Sequence, residues 1–118
     1  MMTFDYTVLD VPAAATTILD LQETNGSLRA FFFQNLDATA TITARIEHTI
    51  DGGSTWEVVV PSFDIAPGFI AVKTVAAAYT GRLRVRASGG GTGNELEIGV
   101  ARIYSGTGAA ETHFQPIV

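Results

Sequence analysis

No cysteine occurs in the chain. Nothing therefore points to an oxidising compartment, and a zinc–thiolate site is excluded. Charge is scarce as well. Asp, Glu, Lys and Arg make up 16% of the 118 residues, with a net charge of −5. That balance argues against general nucleic-acid binding, which wants a basic surface. Only His48 and His113 could offer imidazole, and no His/Asp/Glu cluster has ligand spacing, so neither a metal nor a cofactor is expected. No apolar run reaches the roughly 18 residues that cross a bilayer as a helix, and no membrane partner is expected. The opening MMTFDYTVLD lacks a basic start and a long apolar stretch, so it does not read as a signal peptide. The length suits one domain.

What the chain has in quantity is apolar surface. Its hydrophobic fraction is 47%, high for a domain of this size. Such a domain cannot hide all of it internally, and part is expected to meet a partner or a sister subunit.

Residues 39–50 carry the clearest pattern. Ala40, Ile42, Ala44, Ile46, His48 and Ile50 alternate with Thr39, Thr41, Thr43, Arg45, Glu47 and Thr49. A period of two over this length predicts a long half-buried strand. Asp51-Gly52-Gly53-Ser54 then breaks it, and a run with Trp56, Val58 and Val60 follows. Asp-Gly between two such runs predicts a hairpin. Placing Ile50 and Trp56 on one dry side pairs Asp51 with Thr55, His48 with Val58 and Ile46 with Val60.

The remaining elements follow from turn chemistry. Residues 3–11 read as an edge strand or an extended arm. Asp10 before Pro12 could cap a short helix, but a turn is preferred, with a strand over 16–21. Residues 28–34 form a strand whose three phenylalanines suggest that both faces are covered, one by another subunit. Pro61 ends its ladder or lies at an edge. Strands are expected over 62–66, 69–74, 82–87 and 95–104. Segment 75–79 is uncertain. Eight or nine short strands spaced by turns predict an all-β fold, an antiparallel β-sandwich of jelly-roll or immunoglobulin-like type.

The last two strands suggest a hairpin across the glycine-rich loop at 88–93. Pairing Leu83 with Ile98 and Val85 with Leu96 sets Arg84 opposite Glu97 and Arg86 opposite Glu95. The arginine row then reads as solvent-side charge pairing, or as a grip on an acidic partner with Arg82 unpaired. The loop has no lysine and precedes a strand, so it fails as a phosphate loop. His48 reads as a structural histidine. A set of Ser54, His48 and Asp51 lies within one hairpin, where no base-orienting geometry is implied.

Thr49-Ile50-Asp51-Gly52-Gly53-Ser54-Thr55-Trp56 resembles the Asp-box, S/T-x-D-x-G-x-T-W, with Asp51, Gly53, Thr55 and Trp56 matching. The resemblance implies a structural turn that Asp51 organises and Trp56 packs beneath. Trp56 then reads as a core anchor, or else as an exposed platform for sugar. A wider likeness spans roughly residues 16–104. The succession LRAFFFQNLDATATITARIEHTIDGGSTWEVV, then PGFIAVKTVAAAYTGRLRVRAS, is similar to small β-sandwich virion proteins of tailed bacteriophages. It implies a non-enzymatic capsid decoration (cement) protein, located in the virion and made in the host cytoplasm. Its partners would be the phage major capsid protein and its own copies, as a homo-oligomer with a trimer favoured. On this reading residues 16–104 are the domain, residues 1–15 an arm or edge strand, and residues 105–118 a tail. Candidate partner contacts are Phe4, Tyr6, Phe32, Arg82, His113 and Phe114. The alternative is a carbohydrate-binding module or a fibre or tail component using Trp56, Tyr79 and Tyr104.

Overall fold

Alternation in the β-branched and aromatic stretches sorts most of their side chains between a shared core and two outer faces. The computed structural model describes residues 5–21, 28–75, 82–91 and 93–103. They form β1 (Asp5–Leu9), β2 (Thr16–Leu21), β3 (Leu28–Asn35), β4 (Ile42–Thr49), β5 (Glu57–Ile65), β6 (Ile70–Val75), β7 (Arg82–Ser88) and β8 (Leu96–Ile103). Two antiparallel four-stranded sheets result, with orders β1-β8-β3-β6 and β2-β7-β4-β5. That interleaved order is a jelly roll, the first of the two sandwich types the sequence allowed. No helix among the described residues is long and apolar enough to cross a membrane.

The core lies between the sheets. Phe31 and Phe33 of β3 are wholly buried, as are Ile42 and Ile46 of β4, and Leu83, Val85, Leu96 and Ile98 complete the layer. Phe31 and Phe33 stack at 6.2 Å, and Phe33 meets Phe63 edge-on at 5.1 Å. Each such buried side chain stabilises the fold by roughly 1.5–3 kcal/mol. Phe32 points the other way and is still only 4% exposed, in a small second cluster with Ala30 and Ala101. The three phenylalanines thus do serve both faces of β3.

Several local expectations change. The long strand is shorter than residues 39–50, and Ile50, assigned to the dry side, is 81% exposed beyond its end. Ile46 pairs with Val60 as expected, but His48 pairs with Glu57 and not Val58. The cause is the register shift between Ile46 and Glu47; a second irregularity lies between Ala44 and Ile46. A shift of one residue turns every later side chain to the opposite face. Residues 57–65 form one strand rather than two. Pro61 sits within it opposite the first irregularity, on an edge strand, where proline is tolerated.

The last expected hairpin is replaced altogether. β7 pairs with β2 and β4, and β8 pairs with β1 and β3. Arg84 and Arg86 therefore never face Glu97 and Glu95. The chain crosses between sheets at the glycine loop because Glu95 is used inside it. The Glu95 side chain is buried and accepts hydrogen bonds from the amides of Val11 (3.0 Å), Gly91 (2.6 Å) and Gly93 (2.8 Å). Gly90 lies so close to the β1–β2 connection that a Cβ there would stand 2.0 Å from the Val11 carbonyl oxygen. Replacing Glu95 with Ala strands the buried Val11 amide and frees two part-buried loop amides, and should cost about 2 kcal/mol. Urea unfolding checks it, with an unchanged transition as the contrary result.

Candidate functional site

The outer face of the β2-β7-β4-β5 sheet gathers most of the described cations. Arg82, Arg84 and Arg86 alternate along β7 with the buried Leu83, Val85 and Ala87. Cross-strand pairing sets Arg84 beside Glu47, Arg86 beside Arg45, and Arg82 beside Thr49. On the other flank Asp20 pairs with Arg84 and Thr17 with Arg86. The expectation of an unpaired Arg82 is overturned. Its Nε and Nη2 grip the Asp20 carboxylate at 3.1 and 2.7 Å, and its Nη1 reaches the Gly52 carbonyl at 3.3 Å. The geometry is bidentate, which only a guanidinium supplies.

Glu47 is the centre of this face. Its oxygens take Arg84 Nε at 2.7 Å and Arg45 Nε at 2.6 Å. The side chain is only 6% exposed. Burial by itself would raise the Glu47 carboxyl, but the hydrogen bonds from Arg84 and Arg45 outweigh it and hold the group below the usual carboxylate range. The hydrogen bond from Arg82 likewise lowers Asp20, and Asp20 raises Arg82.

The turn after β4 is built around Thr49 and Asp51. The Thr49 hydroxyl donates to Asp51 Oδ1 at 2.7 Å and accepts from the Gly53 amide at 3.1 Å. The Thr55 amide donates to the same Asp51 oxygen at 2.9 Å. These bonds, the Thr49 hydroxyl first, pull the Asp51 carboxyl far below its ordinary value. Gly52 and Gly53 supply the positive φ angles of 78° and 105° that the turn requires. The Trp56 indole donates to the Gly53 carbonyl at 3.1 Å. Asp51, Gly53, Thr55 and Trp56 are thus linked in one turn.

Trp56 is nonetheless not a core anchor. Its ring lies against the Arg84 guanidinium at 3.9 Å, with Arg82 at 5.7 Å, on the outer face. The register shift that misplaced His48 also carries Trp56 across the sheet. Arg84 therefore covers one face of the indole and stands between Trp56 and Glu47.

The other expected site residues are dispersed. Tyr6 lies on the outer face of the β1-β8-β3-β6 sheet, edge-on to Phe32 at 5.6 Å. Phe4, His113 and Phe114 lie outside the described residues, as do Tyr79 and Tyr104. His48 is buried beside Glu57, its Nδ1 at 3.6 Å from Glu57 Oε1. Asp51 is occupied by Thr49 and Thr55, so the structure does not assemble Ser54, His48 and Asp51 into a charge relay. Among the described residues no group of three His, Cys, Asp or Glu side chains could hold a metal ion. Asp20 and Glu47 were missed as arginine partners, because only the β2–β7 and β4–β7 pairings bring them there. Alternation of Glu47 with Ile46 was the one available signal.

No family model matches the chain, and no curated protein matches it. Solved structures do. A chain from the Bacillus endospore appendages, described as disulfide-linked pili, aligns with a TM-score of 0.54 at 18% identity, over 88% of this chain and 89% of that one. The Yersinia pseudotuberculosis-derived mitogen gives 0.46 at 9%, over 91% and 88%. A chain of the T13 particle of infectious bursal disease virus gives 0.43 at 10%, over 89% of this chain but 32% of that one. The likeness to the Bacillus chain is one of fold.

Asp20, Glu47 and Asp51 all titrate lower folded than unfolded, where such groups lie near 4. Their contribution is whole above that value and is lost as pH falls through the lower folded values. Glu47→Gln should cost about 2 kcal/mol at pH 7 and flatten the acid limb of the stability–pH curve. Trp56→Ala should stay folded and lose about 1 kcal/mol, the scale of a half-buried cation–π contact. Thermal and urea melts between pH 2 and 7 check both.

Proposed function

We propose that the chain is a non-enzymatic structural subunit that works by assembling, and more narrowly a capsid decoration protein of a tailed phage. One observation carries this reading. The outer face of the β1-β8-β3-β6 sheet carries exposed apolar side chains in addition to those of the core, with Glu97 and Gln34 set among them. Tyr6, Gly99, Phe32 and Val72 form one row across it, and Val8, Glu97, Gln34 and Ile70 the next. Tyr6 and Val8 are each 45% exposed and Ile70 is 50% exposed. Leu36 and Phe69 add exposed apolar surface beyond the ends of β3 and before β6. Exposed apolar side chains along both edges of one sheet, around a central apolar row, suit a contact surface.

The virion-like phrasing of residues 16–104 supports the narrower reading. On it the partners are the phage major capsid protein and sister subunits, as a trimer, and the location is the virion. Residues 1–15, as an arm or edge strand, and the tail at residues 105–118 would grip the shell. The Bacillus appendage chain is described as belonging to disulfide-linked pili. This chain has no cysteine, so its own assembly would rest on burial and hydrogen bonding. A sugar-binding role loses its main support, because Arg84 covers the Trp56 ring.

Size-exclusion chromatography with light scattering, joined to co-sedimentation with phage heads lacking the protein, tests the proposal. A trimer that binds heads is expected. Val8→Lys with Ile70→Lys should leave a folded protein that associates about tenfold or more weakly. A strict monomer that binds no head contradicts it.

A further inference from the structure

On the outer face of the β2-β7-β4-β5 sheet, two arginines stand directly opposite each other across β4 and β7. Arg45 and Arg86 are cross-strand partners, an arrangement of like charges that opposes pairing. The available carboxylates do not relieve it. Arg45 gives only its Nε to Glu47, which Arg84 also holds. Arg86 has no carboxylate. Its Nη1 donates to the Thr17 hydroxyl at 3.2 Å and its Nη2 to the Ala15 carbonyl at 3.1 Å. Its Nε is buried with no acceptor, which is costly for a charged donor.

The two arginines line a half-open cavity of about 30 Å³, together with Thr43, Ser62 and Ser88. The Thr43 hydroxyl is engaged with Asp64 Oδ1 at 2.7 Å. Ser62 belongs to the irregular stretch of β5 between Val60 and Phe63, which places it across from Arg45. The space exceeds what one ordered water needs. It is lined by Arg45, which bonds Glu47 through Nε, by Arg86, and by Ser62 and Ser88, residue types that bind oxygen anions. One carboxylate, Asp64, stands at its edge and sets a limit on how much negative charge it attracts.

We propose that this cavity binds a single oxyanion group, seated between Arg45 and Arg86. The group accepts from both guanidiniums and cancels the repulsion between them. Either a carboxylate carried by another chain or a free inorganic anion has the required chemistry. The site is separate from the apolar face and does not depend on assembly.

Nitrogen-15 spectra of the arginine Nε–H groups read the site directly. Sodium sulfate, phosphate and acetate are each titrated into the whole protein, with sodium chloride holding ionic strength constant. Saturable shifts at Arg86 and Arg45, with a midpoint at least tenfold below that of chloride, are expected. Saturation by acetate as well as sulfate identifies a carboxylate source, and saturation by sulfate and phosphate alone an inorganic one. Arg45→Gln with Arg86→Gln should abolish saturation, while Lys73→Gln, which removes a cation elsewhere, should preserve it. If the double variant fails to fold, the wild-type titration decides. Shifts that never saturate and track ionic strength alone overturn the proposal.

Discussion

The side-chain amide of Asn35 is the tie on which the two-sheet arrangement rests. Asn35 ends β3 and is wholly buried. Its Nδ2 donates to the carbonyls of Ala40 at 2.8 Å and Ile65 at 2.9 Å, and its Oδ1 accepts from the Asp37 amide at 2.8 Å. Its main chain bonds Phe69 and Gly68, both at 3.0 Å. One residue thereby holds the β3–β4 crossing and the β5–β6 crossing together. Glu95 does the same for the β1–β2 and β7–β8 crossings, and the Leu36 amide donates to the Glu95 carbonyl at 2.7 Å, joining the two ties. Buried polar groups that are fully bonded fix a unique arrangement, where apolar burial alone tolerates slippage.

With that end closed, the two outer faces diverge. The β1-β8-β3-β6 sheet turns Tyr6, Val8, Phe32 and Ile70 outward. The β2-β7-β4-β5 sheet turns out arginines braced by Asp20 and Glu47 and capped by the Trp56 ring. The braces matter because four arginines packed along two strands repel one another unless carboxylates are interleaved. An apolar face suits contact with a partner of matching shape, whereas a braced cationic face suits recognition of a few oxygen atoms.

Much of this was legible in the residues. The alternation of Ile42, Ala44 and Ile46 located the inner side of β4, Phe31 and Phe33 marked β3, and the turn residues separated the strands. The Ile46–Val60 register followed from matching apolar sides. What failed did so for physical reasons. β7 and β8 are adjacent in sequence and alternate in phase, which is what a hairpin looks like, yet a jelly roll sends them to facing sheets. Trp56 was misplaced because the irregularity between Ile46 and Glu47 shifts the β5 register by one, and no composition signal counts such shifts; Ile50 was misplaced because β4 ends at Thr49. Asn35 read only as a turn residue, since a buried amide and an exposed one have the same letter. Arg82 looked unpaired because its partner, Asp20, lies 62 positions away.

The most direct test of the account is the unfolding free energy of Asn35→Ala, measured in urea with amide exchange followed at residues 36–41 and 66–69. The loss of three buried side-chain bonds predicts a cost of about 3 kcal/mol and faster exchange at both crossings together. Stability within about 0.5 kcal/mol of the wild type, the range of an ordinary surface substitution, would contradict it.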